Sequence, residues 1–101
     1  MVTYSPEAVR LLANKVFRVN SLTQREFLAR LGVDSGVIAE LWEIIDRPQG
    51  ASLAHLLWTL HYFKIYGVWE VMADNLGTTK PTLIKWVNKV TRALAGTYPR
   101  V

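Results

Sequence analysis

The chain of 101 residues contains no cysteine, which excludes a disulfide framework, a thiolate zinc site and a cysteine nucleophile. Histidine is scarce: His55 and His61 stand six residues apart, on different faces of a helix, and are too few for a histidine-only metal cage. No serine lies at a recognisable motif spacing from a histidine and an acid. The neighbouring Glu40 and Glu43 suit a solvated helix face better than acid–base chemistry. Nor does the length leave room for separate cofactor and substrate domains. No catalytic residue, metal, cofactor or small-molecule substrate is expected, and the chain does not read as an enzyme.

A long apolar run is also missing. The most apolar stretch, Leu53 to Trp69, is broken by His55, His61 and Lys64 and falls short of the roughly 20 uninterrupted apolar residues of a bilayer span. The opening MVTYSPEAVRLL lacks the basic start, apolar block and small-residue cleavage site of an export signal. The expectation is an intracellular protein, nuclear if its source is eukaryotic, with no membrane partner.

Acid is absent from one end. Residues 1–74 hold seven basic and eight acidic side chains, whereas residues 75–101 hold Lys80, Lys85, Lys89, Arg92 and Arg100 with no acid. The net charge of +4 is thus concentrated at the C-terminal end, an asymmetry that points to a polyanionic partner.

Strand signals, internal repeats and linkers are nearly or wholly lacking, while helix signals recur. Half the residues are hydrophobic and a fifth charged, as in a globular domain. Ser5-Pro6-Glu7 starts a first helix, with apolar residues at helical spacing through Val19. Thr23 and Glu26 form a capping box for a short second helix that Gly32 closes. Asp34 or Ser35 caps a third, stopped by Pro48 and Gly50. Ser52 caps a fourth, LAHLLWTLHYFKIY, which is apolar almost all round, reads as the buried centre of a bundle, and is ended by Gly67. Val68 to Leu76 is a fifth, closed by Gly77; Thr79 caps a sixth that runs to Leu94 and stops at Gly96. The expected fold is a single all-α domain, a compact bundle of five to six helices. Trp42, Trp58, Trp69 and Trp86 fall one to a helix among apolar neighbours, a pattern of core packing rather than of base-stacking platforms.

The last two helices match a helix-turn-helix, over residues 68–95, on a scaffold of residues 5–66. Ala73 is the small residue where the two helices meet, and Gly77 turns the corner four residues later. Leu83, Trp86, Val87, Val90 and Leu94 supply the apolar face of the second helix. Its polar side carries Thr82, Lys85, Lys89 and Arg92 as one stripe, with Asn88 toward the flank. Such a helix suits a DNA major groove, with its N-terminal residues nearest base edges and Lys89 and Arg92 better placed for phosphates. The helix N-terminus and the Thr78 and Thr79 hydroxyls suit a phosphate. Glu70 and Asp74 share a face of the preceding helix, which must then point away from DNA. Thr78 departs from the apolar residue common after the turn glycine, and Pro81 disfavours helical geometry at Lys80. An internal control exists in residues 23–45, also helix, glycine, turn, helix. There the second helix carries Glu40, Glu43 and Asp46, which phosphate would repel, so that corner reads as structural.

Residues 56–87, LLWTLHYFKIYGVWEVMADNLGTTKPTLIKWV, resemble the N-terminal helix-turn-helix region of DDE-superfamily transposases, of the PIF/Harbinger type and its insertion-sequence relatives. The matching features are the LLWTL helix, Tyr62-Phe63-Lys64, Trp69-Glu70, and Leu76-Gly77 followed by Thr79, Leu83 and Trp86. Residues 27–45 resemble the looser helical region preceding this motif. The resemblance implies recognition of transposon ends, with Thr79, Lys80, Thr82 and Lys85 reading DNA and a separate catalytic domain, not in this chain, cutting and joining it. Lys80, Lys85, Lys89 and Arg92 are expected to supply phosphate affinity. Double-stranded DNA is the expected partner, with a homodimer or the separate catalytic domain as further ones. The alternative is a helical interaction or dimerisation module whose basic face receives an acidic protein.

Overall fold

In the computed structural model, which describes residues 4–97, the chain folds into six α-helices with no strand among the described residues. They are α1 Pro6–Val16, α2 Gln24–Leu31, α3 Ser35–Ile44, α4 Leu53–Ile65, α5 Trp69–Leu76 and α6 Lys80–Thr97. The all-α expectation holds. Arg100, part of the basic excess, lies outside the described residues. No helix among them is long and apolar enough to cross a membrane.

The starts follow the side-chain chemistry. Ser5 Oγ accepts the Ala8 N–H at 3.1 Å, and Asp34 Oδ1, rather than Ser35, accepts the Val37 N–H at 3.0 Å. Thr23 and Glu26 each accept the other's backbone N–H at 3.1 Å, forming the expected capping box. Each bond satisfies an amide that the first helical turn leaves without a partner.

Four ends differ from the sequence expectation. α1 stops at Val16, not Val19, because Arg18 turns left-handed at φ 57° and the Val19 N–H returns to the Asn14 carbonyl at 3.0 Å. α3 ends at Ile44, before Pro48: Ile45 is extended, which buries its side chain, and Arg47 Nε reaches back to the Trp42 carbonyl at 3.1 Å. α4 is closed by Tyr66 at φ 56° rather than by Gly67. Gly67 serves close packing instead, since a Cβ there would stand 3.0 Å from Met72 Cγ. α6 continues through Gly96 to Thr97, because one glycine in a long helix is a cost of under about 1 kcal/mol and not a stop. Gly32 and Gly77 do close α2 and α5 in the left-handed region, as expected.

α4 is central, packed on α6, α2 and α1, while α1 also packs on α3 and α5 on α6. Leu53, Leu56 and Leu57 of α4 join Val9, Ile38, Leu83 and Val90 in the fully buried core. Each such side chain contributes roughly 1.5–3 kcal/mol of burial. Thr59, also buried, donates its hydroxyl to the His55 carbonyl at 2.9 Å, so its polarity is satisfied within the helix. The C-terminal turn of α4 is not central: Phe63, Lys64, Ile65 and Tyr66 are exposed.

Candidate nucleic-acid interface

The α5–α6 corner is built as the sequence pattern requires. Ala73 is buried, Gly77 takes φ 73°, and the Thr78 N–H bonds the Ala73 carbonyl at 2.9 Å to seal the end of α5. Leu83, Val87, Val90 and Leu94 are buried along one side of α6. At 100° per residue, Thr82, Lys85, Lys89 and Arg92 occupy the opposite side; Thr82 is half-buried and the other three are exposed. Asn88 is exposed on the flank.

Trp86 organises two of these cations. Its ring stacks on His55 at a centroid distance of 4.0 Å and 5° interplanar angle, and Lys85 and Lys89 Nζ lie 5.2 and 5.0 Å from the ring centre. Cation–π attraction restrains both ammonium groups near one ring. His55 is held in turn, its Nδ1 accepting the Ser52 N–H at 3.0 Å and Trp58 meeting it edge-on. Burial, and then the Lys85 charge, hold the His55 pKa below the ordinary 6.5.

The core reading holds for Trp42, Trp58 and Trp69, which lie in the core or pack against it, and fails for Trp86. Only Trp42 is fully buried, beneath the Arg47 guanidinium at 4.6 Å. Trp58, Trp69 and Trp86 are half-buried against other rings, with Trp69 stacked on Tyr62 at 4.2 Å.

Lys80 stands apart from the stripe. Its position on α6 turns it toward α5, where Nζ meets Glu70 Oε1 at 2.7 Å. The hydrogen bond and charge of Lys80 hold the Glu70 carboxyl below its usual range. On the face expected to point away from DNA, the Glu70 carboxylate therefore reaches the first residue of α6. Asp74 points elsewhere, into a pocket described below. Pro81 leaves Lys80 helical, because a proline in the first turn removes an amide that has no helical partner.

The start of α6 is also less open to an anion than expected. Thr79 Oγ1 donates to Thr82 Oγ1 at 2.9 Å and accepts the Thr82 N–H at 3.4 Å, and Pro81 has no N–H. Thr78 is half-buried at the turn.

Two arginines at this corner escaped the sequence reading. Arg18 lies over the turn so closely that a Cβ at Gly77 would stand 2.5 Å from its Nη2. With Arg30, Phe17, His61, Asp74 and Asn75 it lines a pocket of about 420 Å³. Arg30 sits 5.1 Å over the Phe17 ring and accepts a hydrogen bond from His61 Nδ1 at its carbonyl, 2.8 Å away. Burial foremost lowers the His61 pKa; the bond to Arg30 opposes this and the Arg30 charge adds to it. Neither arginine forms an ion pair with Asp74, and Lys80–Glu70 is the one salt bridge among the described residues. Arg30, four residues after Glu26, reads in sequence as a helix-surface pair, and nothing local marks Arg18 as the left-handed stop of α1. Among the described residues, no three histidines or acids are placed to hold a metal ion. Comparison with protein-family models, curated proteins and solved structures returns no match, which leaves the chain's own geometry as the ground for a functional reading.

Proposed function

We propose that the chain binds double-stranded DNA through the α5–α6 helix-turn-helix, with α6 lying in the major groove. The observation that carries this reading is the solvent side of α6. Lys85, Lys89 and Arg92 are exposed there opposite the buried Leu83, Val87, Val90 and Leu94, and among the described residues no acid forms a salt bridge with them. Thr82 and Lys85, nearest the start of the helix, are the base-reading candidates, with Thr79 beside them. Lys80 contributes less than its position suggests, because DNA must first displace Glu70. Arg18, over the turn that leads into α6, takes its place as a phosphate contact. The reading extends the resemblance to a Harbinger-type transposase: a module for transposon ends whose catalytic domain belongs to another part of the assembly.

The test is fluorescence anisotropy with a labelled duplex of about 20 base pairs at several salt concentrations. Four phosphate contacts, from Lys85, Lys89, Arg92 and Arg18, predict a log–log salt slope of about −3.6. Lys85→Glu is expected to weaken binding by at least about tenfold with the helical circular dichroism unchanged. Arg18→Gly removes a cation while relieving a left-handed non-glycine, so it is expected to fold at least as well and to lower the slope by about 0.9. Absence of binding at low salt by the folded chain would overturn the proposal.

A further inference from the structure

A groove of about 550 Å³ opens between α3, α4 and the C-terminal part of α6, on a side of α6 away from the lysine stripe. Val37, Leu41 and Ile44 of α3 form one wall, and Leu60, Phe63 and Leu94 face them. Glu40 is the one charged side chain in its lining. Val37, Ile44 and Phe63 are 45%, 57% and 40% exposed, well above what packing against the core leaves open.

α3 therefore carries two apolar seams where a helix that only supports a core needs one. Ile38, Ala39 and Trp42 face inward and are buried. Val37, Leu41 and Ile44, spaced by four and then three, face the groove at the interval of a helix–helix seam. Contiguous exposed apolar surface of this kind marks an interaction site. From Val37 to Ile44 the wall runs about 10 Å, two helical turns, which matches a short partner helix.

Charge selects the occupant. Glu40 lines the groove and Glu43 is exposed beside it; α3 contains no basic residue, and neither acid has an ion-pair partner among the described residues. Two copies of α3 meeting about a two-fold axis would set Glu40 against Glu40, which like-charge repulsion disfavours. We infer that the groove docks an amphipathic helix of a partner protein, one with apolar residues at three- and four-residue spacing flanked by lysine or arginine. This site is separate from the basic face of α6 and does not rest on the DNA reading.

The test uses two synthetic peptides of about 14 residues, long enough for four helical turns. Both carry the same leucine seam; one has lysine at the flanking positions and the other glutamate. Each is titrated into the isotope-labelled full chain and followed by amide NMR. The lysine peptide is expected to shift α3, Phe63 and Leu94, and to bind at least about tenfold more tightly than the glutamate peptide. Glu40→Lys is expected to reverse that preference. Ile44→Asp, at an exposed position, is expected to abolish binding while leaving the helical spectrum and any duplex binding unchanged. Equal binding of the two peptides, no shift with the lysine peptide, or shifts confined to other surfaces would overturn the inference. So would light scattering that shows a dimer dissociated by Ile44→Asp, because the groove would then belong to a second copy of this chain.

Discussion

Gly32, Gly50, Gly77, Arg18 and Tyr66 hold a left-handed backbone. Gly32 and Gly77 adopt that conformation where glycine announces it. Arg18 and Tyr66 adopt it with a side chain attached, so no glycine marks the end of α1 or α4. Replacing Gly77 and replacing Gly96 have opposite expected outcomes. Gly77→Ala forces a Cβ into φ 73° and against the Arg18 guanidinium. The side chain can swing aside, so the backbone conformation dominates, and a loss of about 1–2 kcal/mol is expected in chemical denaturation. Gly96 stands in a helical backbone with open space around its Cβ position. There Gly96→Ala is expected to raise stability by roughly 0.5–1 kcal/mol, read as a higher thermal midpoint.

Among the elements, the capped starts of α1, α2 and α3 were legible because each cap is a local contact, three residues from acceptor to donor. The stripe on α6 was legible for a related reason: side-chain direction on a helix follows from spacing alone. What spacing could not give is which neighbouring element each face meets. Lys80 reads as a DNA contact, yet it faces Glu70 of α5, ten residues back. Trp86 was assigned to the core, yet it holds His55 of α4 on its ring and gathers Lys85 and Lys89 about it. The groove over α3 is invisible too, since by spacing alone Val37, Ile38, Leu41, Trp42 and Ile45 make a single apolar face. Whether such a face is covered depends on the lengths and angles of α4 and α6.

For the molecule as a whole, the two histidines set a pH dependence. Both have pKa values held below the ordinary 6.5, each chiefly by burial. As pH falls, the unfolded chain takes up these protons before the folded one, so stability declines from about pH 6.5 downward toward the folded-state values. The neutral form is also the one His55 needs, because a protonated ring could not accept the Ser52 N–H. Urea unfolding is expected to show a lower midpoint at about pH 5.5 than at about pH 7.5, with a smaller difference in His55→Gln. Glu26 and Glu70, whose pKa values are depressed from 4.5, lose their favourable contacts only in more acidic solution.

The place of α4 in the chain also governs how quickly the fold can assemble. It lies mid-sequence, and the principal helix pairings join it to segments on either side, or join near neighbours; none of them ties the first helix to the last. Every major contact thus closes a loop well short of the full chain, and the search that precedes it is correspondingly brief. Such a topology belongs with the helical proteins that fold within milliseconds or faster. A polypeptide emerging during synthesis could therefore begin to condense around α4 as soon as that helix appears, before the basic helix α6 exists to attract a polyanion.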